Sequence, residues 1–228
     1  MTDITQYPGL QEFWTEIQDA RMQTSNWDLT QTVTQGTMQS VVDEIHKRAP
    51  CKQNRVHYGM HILDWSDTNL RNEIYEMAVD RDAPYPKYNS QTLANWLIVF
   101  TGRIPAPYRF DFSNVPDNVL DLGLTSIEIG LASHMLIYSA AAKGLQCGFC
   151  RCLDFGYEGW QTTILSSLGI SVPEEVQLIV GVGVASDNVE QTYNPHTDTW
   201  VDAYKDQGQK WSVEPKPAQS EYITWHNV

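Results

Sequence analysis

Lysine and arginine are scarce in this chain. Fifteen of them stand against 28 aspartates and glutamates in 228 residues, a formal charge of -13. Nucleic acids and anionic membranes both need a cationic patch, so neither is an expected general partner. Long apolar runs are missing too. The opening "MTDITQYPGLQEFW" has neither the basic start nor the apolar core of a signal peptide, and no stretch approaches the length of a spanning helix. The expectation is a cytoplasmic protein. Only four cysteines occur, unevenly spread; in a reducing compartment they read as thiols rather than as a disulfide framework. G-x-S-x-G, a Walker loop and the dinucleotide-binding glycine fingerprint are absent. "GVGVAS" (Gly181 to Ser186) follows an apolar run but lacks the third glycine and a helix after it. No internal repeat or low-complexity tract is present.

What remains is a folded composition, 42% apolar and 19% charged, of a length that suits one domain over residues 1–228. Leu10, Phe13, Trp14 and Ile17 space an amphipathic helix over about 9–23, within a helical N-terminal extension covering 1–36. Met38, Val41, Val42 and Ile45 predict a second helix, limited by Pro50. Ser66 suits the cap of a third, carrying Leu70, Ile74 and Met77. "NWLIVFTG" (95–102) and "VQLIVGVGV" (176–184) read as buried strands, and "YRFDF" (108–112) as a half-buried one. Between Thr125 and Lys143 one stripe holds Ile127, Leu131, Met135 and Tyr138 and another Ile129, Ala132, Leu136 and Ala140. Two apolar faces predict a helix buried on most sides, with Gly144 as its C-cap. A further helix fits about 159–168, and residues 185–228 read as an extended tail in which "YITW" suits an edge strand. Helices interspersed with few strands make the class α+β.

Three cysteines crowd into "GLQCGFCRCLD" (Gly144 to Asp154): Cys147, Cys150 and Cys152. C-x-x-C can share a tetrahedral metal ion, but a closed site needs four ligands, and no second C-x-x-C or H-x-x-x-H is present. A thioredoxin-like pair sits where a strand meets a helix N-terminus, whereas here a helix ends before the cysteines. The expectation is therefore no metal. Lys47, Arg48, Lys52 and Arg55 concentrate cations in an acidic chain. By themselves they favour a solvated helix end facing the negative pole of its dipole, with a phosphate clamp as the functional alternative. Asn89 and Gln91, just ahead of a strand, suit a turn or the polar edge of a planar heterocycle. None of the six histidines forms a recognisable nucleophile arrangement.

Taken in order, the basic turn, the amide-bearing strand entrance, the long helix, "GLQCGFCRCLD" and "LGISVPEEVQLIVGVG" resemble the nitroreductase-like family of FMN flavoproteins over about Ser40 to Val184. "RAPCK" matches the family's phosphate motif through Arg48 and Lys52, with Pro50 where a serine is usual. "YPKYNSQTLANW" matches its P-S-x-x-N-x-Q-P-W stretch through Asn89 and Gln91 but lacks the proline and tryptophan that follow. The family's loop under the isoalloxazine ring matches Phe149, Cys150, Arg151 and Cys152, and implies a backbone N–H near Arg151 facing flavin N5. Phe149 is expected as an apolar wall. The family's Lys or Arg pair after the last strand is replaced by His196 and Asp198, with Lys205 and Lys210 farther on.

The resemblance implies a nitroreductase-like FMN-dependent α+β fold, with a small mixed or antiparallel sheet flanked by helices, and a homodimer. It implies an FMN-dependent oxidoreductase in which NAD(P)H drives two-electron reduction of a nitroaromatic, quinone or similar small acceptor by a ping-pong route, with no catalytic side chain assigned. The alternatives are an atypical member that fragments flavin or removes halogen, a cysteine-cluster metal-binding domain, and a flavin-binding protein without reductase activity.

Overall fold

The computed structural model of the chain describes residues 8–19, 24, 27–51, 54, 56–64, 74–75, 79–80, 87–88, 90–102, 117–151, 166, 169, 176–186, 200–204 and 209–212. Helix α1 is Pro8–Asp19, α2 is Gln35–Arg48 and α3 is Asp117–Ala141. The strands are β1 (Tyr58–Asp64), β2 (Val79–Asp80), β3 (Lys87–Tyr88), β4 (Trp96–Gly102), β5 (Gln146–Cys150), β6 (Val176–Gly183), β7 (Trp200–Tyr204) and β8 (Gln209–Ser212), and a 3-10 turn covers Ser90–Leu93. This is the expected α+β class.

Strands β1, β4, β6 and β5 form one antiparallel sheet in that order. Central β4 is buried on both faces from Trp96 through Thr101, which is why its sequence is a continuous apolar run instead of an alternation. Register sorts the faces. Trp96, Ile98 and Phe100 lie beside Val182, Val180 and Leu178 of β6 and beside Met60 and Ile62 of β1. This side meets Met38, Val41 and Ile45 of α2 and Ile129, Ala132, Leu136 and Ala140 of α3 in the main core. Each fully buried large side chain contributes about 1.5–3 kcal/mol, so the packing of β4 against the two helices is a large stabilising contribution.

Thr34 caps α2 by accepting the Thr37 N–H at 3.1 Å, and Ala49, which donates to the Ile45 carbonyl at 2.8 Å, ends it just before Pro50. Helix α3 ends as expected at Gly144. Its φ of 72° is open to glycine without strain, and the amides of Gly144 and Leu145 return to the carbonyls of Ala141 and Ala140 at 2.9 and 3.0 Å. That reversal starts β5.

Two expectations are corrected. Helix α3 is not buried on most sides: one stripe enters the core, while Ile127 and Leu131 of the other remain 59% and 40% exposed. Residues 146–150, read as loop, form strand β5, and "YGMHILD" forms β1 where no strand was expected. Within the stretch read as an extended tail, β7 and β8 pair as a hairpin. The helices expected at about 66–77 and 159–168 fall mostly outside the described residues, as do "YRFDF" and "YITW" entirely. Among the described residues no helix is long and apolar enough to cross a membrane.

Candidate functional site

On the sheet face opposite α2 and α3, glycines stand among larger side chains such as Leu97, Val99 and Ile179. Gly148 of β5 lies directly opposite Gly181 of β6, and Gly183 opposite Gln146. The chain spends that missing volume on close approach. A methyl group at Gly181 would run into the carbonyl oxygen of Gln91 and stand 2.7 Å from the Ala94 Cβ. At Gly148 it would strike the Thr24 carbonyl, with Trp27 Cζ2 at 3.0 Å and Gln91 Cβ at 3.2 Å. The turn bearing Gln91 therefore rests on the strands themselves. Its side-chain Oε1 is buried and has no hydrogen-bond partner among the described residues. A buried acceptor left unpaired costs about 1–3 kcal/mol, and a ligand N–H or O–H would recover it.

The N-terminal extension, whose packing the sequence left open, crosses the end of the sheet where β4 and β5 begin. Thr24 donates its N–H to the Cys147 carbonyl at 2.9 Å and its hydroxyl to Gln146 Oε1 at 2.6 Å. Asp28 N–H donates to the Val184 carbonyl at 2.8 Å, and Trp27 bridges to Ala185. Asn95 ties the crossing to the sheet: its Nδ2 donates to the Gln31 carbonyl at 3.0 Å, and its Oδ1 accepts the Val184 N–H at 3.0 Å. Trp96 Nε1 adds a bond to the Val33 carbonyl at 2.8 Å.

Arg48 is the last residue of α2, exposed and paired with Glu44 one turn back. Pro50 is exposed in the following loop. The chain runs on from Arg48 through Pro50 and Cys51 to Tyr58, where β1 begins. Antiparallel pairing through β4 and β6 puts the end of β5 at that same end of the sheet, and exposed Arg151 follows it directly. Lys52, Asn89 and Cys152 lie outside the described residues.

Phe149 alternates with Gly148 along β5 and so points to the other face, packed against the core beneath α2 and α3. The expectation that its ring forms a wall on the Gln91 side is corrected by strand parity. Cys147 shares the Phe149 face, whereas Cys150 is on the Gly148 face, so a three-residue separation on a strand divides this C-x-x-C pair instead of converging it. Burial pushes the Cys147 thiol up to about 12, which suits a small core residue and not a thiolate ligand or nucleophile. Among the described residues no cluster of His, Cys, Asp and Glu is arranged to hold a metal ion.

Sequence reading missed Gly148, Gly181 and Asn95. "GVG" stands out in the chain only as an incomplete nucleotide fingerprint.

No protein-family model matches the chain, and no curated protein does. Solved structures do. The FMN-dependent nitroreductase of Mycobacterium smegmatis, in complex with NADPH, aligns over 96% of this chain and 100% of its own at a TM-score of 0.61 and 14% identity. The NADPH:FMN oxidoreductase of Vibrio harveyi, complexed with NAD+, aligns over 94% of this chain and 78% of its own at 0.59 and 15%. A nitroreductase family protein of Clostridium novyi aligns over 76% and 85% at 0.55 and 16%.

Proposed function

We propose, from the nitroreductase fold that the chain adopts, that this protein is an FMN-dependent oxidoreductase driven by NADH or NADPH. The solved structures of like fold include NADPH:FMN oxidoreductases and FMN-dependent nitroreductases. The observation that carries the reading is the buried, unpartnered Oε1 of Gln91 above a glycine floor. Such an acceptor beside a tight backbone approach fits the polar edge of a planar ring.

When bound, FMN supplies two-electron transfer between a nicotinamide nucleotide and a small acceptor such as a nitroaromatic or a quinone. The protein's part is to bind and orient. Arg48 and Lys52 are assigned to the phosphate, as a guanidinium fork and a point charge. Arg48 is released at small cost, because an exposed i,i+4 pair is worth about 0.3–0.5 kcal/mol. Pro50 stands between them without a hydroxyl to offer. Gln91 and Asn89 take the polar edge of the ring. The backbone at the end of β5 and just beyond it, through Cys150, Arg151 and Cys152, faces the reactive side; Phe149 takes part by its main chain, its ring being in the core. No side chain is assigned a catalytic role, and the single domain covers the whole chain.

The protein is further proposed to act as a homodimer. Ile127 and Leu131 leave an apolar strip on α3, flanked by exposed Gly130 and His134. Trp14 of α1 stacks on Tyr138 at 5.5 Å and extends the strip toward Phe13. In a chain of charge -13, two copies meet with least repulsion where carboxylates are few, and Ile127, Gly130, Leu131 and His134 of α3 bring none.

The test is the visible spectrum of the purified protein. A flavin spectrum that bleaches with NADH or NADPH supports the reading. Stoichiometric zinc without flavin overturns it in favour of a cysteine-cluster metal domain. Flavin that no nicotinamide reduces leaves a flavin-binding protein without reductase activity.

A further inference from the structure

We infer that Gly181, with its register partner Gly148, is a positioning residue that sets the height of Gln91 above the sheet and thereby the affinity of the cofactor site. The inference rests on the proposed flavin reading.

Glycine occupies these strand positions for space, not for backbone freedom. Positive φ among the described glycines occurs at Gly144 and Gly169 only, so Gly148 and Gly181 have torsions that any residue adopts. Glycine in a strand interior weakens it by entropy and by the side chain it fails to pack. Something must sit in the vacated volume: over Gly181 it is the Gln91 turn, and over Gly148 it is first the Thr24 carbonyl of the N-terminal crossing, with Gln91 Cβ beside it. On the Gly181 side the contact is made by the Gln91 carbonyl and the Ala94 Cβ, and on the Gly148 side by the Gln91 Cβ at 3.2 Å. A Cβ on either glycine meets backbone, which cannot rotate away as a side-chain tip would. In Gly181→Ala the turn would have to lift from the sheet by a large fraction of an ångström, taking the Gln91 carboxamide with it. Gly183 is a matched reference: an added methyl there meets Asn95, which holds the N-terminal crossing.

The experiment compares Gly181→Ala and Gly183→Ala, each with Gln91 intact and in a Gln91→Ala background. FMN titration of cofactor-free protein is followed by flavin fluorescence, and hydrogen exchange of residues 91–95 is read without FMN. Gly181→Ala is expected to weaken FMN binding about tenfold, to speed exchange at 91–95, and to cost less than about threefold once Gln91 is already alanine, because coupled sites are not additive. Gly183→Ala is expected to cost the same in both backgrounds. A folded Gly181→Ala protein that binds FMN within about twofold of the parent overturns the inference, as does a cost that Gln91→Ala leaves unchanged. If Gly181→Ala does not fold, Ala94→Val presses on the same floor from the turn side and is read in the same way. A parent protein that binds no FMN sinks the functional reading. Exchange then decides this inference by itself, and unchanged rates at 91–95 in Gly181→Ala overturn it.

Discussion

The carboxylate of Glu128 accepts the backbone N–H of His57 at 2.8 Å and meets the ring Nδ1 at 2.9 Å, with both side chains shut away from solvent. One turn earlier on α3, the Thr125 hydroxyl donates to the His57 carbonyl at 3.2 Å. A single helical turn thus holds the backbone where it enters β1, next to the basic turn. Removing the acceptor of a buried hydrogen bond costs about 1–3 kcal/mol. Glu128→Ala is expected to lose about that much in urea unfolding, and Glu128→Gln distinctly less, since its amide oxygen still accepts the His57 N–H. Equal losses for the two would show that the site senses charge and not the hydrogen bond.

Stability is expected to fall on the alkaline side. Burial pushes the Cys147 thiol up to about 12 from an ordinary 9.0. It also pushes the Tyr58 phenol up to about 12 from 10.0, with charge on Cys51 and Glu128 adding to the effect. Above about pH 9 the unfolded chain sheds protons that the folded chain keeps. The stabilisation is therefore complete below that pH and is lost progressively toward about 12. For Cys147 the slope is about 1.4 kcal/mol per pH unit. Cys147→Ala should flatten the decline in urea midpoint between about pH 9 and 11; an unchanged slope contradicts the assignment.

Asn95 joins the N-terminal crossing to β6. Asn95→Ala strands the Val184 N–H and the Gln31 carbonyl, at about 1–3 kcal/mol for each group. Faster exchange is expected at the Asp28 amide, which itself donates to Val184. An Asp28 amide as protected as in the parent would mean that the crossing is held without Asn95.

Arg48→Ala combined with Lys52→Ala is expected to weaken FMN at least tenfold, with the salt dependence of binding reduced. For Arg48 alone the change in stability should stay within about 0.5 kcal/mol, as for any exposed pair. Retained FMN affinity in the double variant refutes the phosphate clamp.

Leu131→Asp puts a carboxylate at the centre of the exposed α3 strip. If two copies meet there, light scattering should find the variant monomeric and the parent dimeric, with the circular dichroism of both alike. A parent that is monomeric at micromolar concentration removes the dimer from the reading.

Periodicity along the chain made α2, β4, β6 and the core stripe of α3 legible, because burial of one face writes itself into neighbouring positions. The C-cap at Gly144 was legible for the same local reason. Strand β5 was not: "QCGFC" is short, and its glycine, Gly148, looks like a turn until β6 is laid beside it. The place of Gln91 before a strand is legible in the chain, but the glycines that lie under it are not. The Gly148–Gly181 floor, the Asn95 tie to Val184 across 89 positions and the His57–Glu128 pair across 71 are all meetings of distant segments. A sequence determines its local periodicities and its supply of cations, amides and glycines. Which of them share a sheet face is decided by register and by the direction of each strand, and those are set only when the whole core closes.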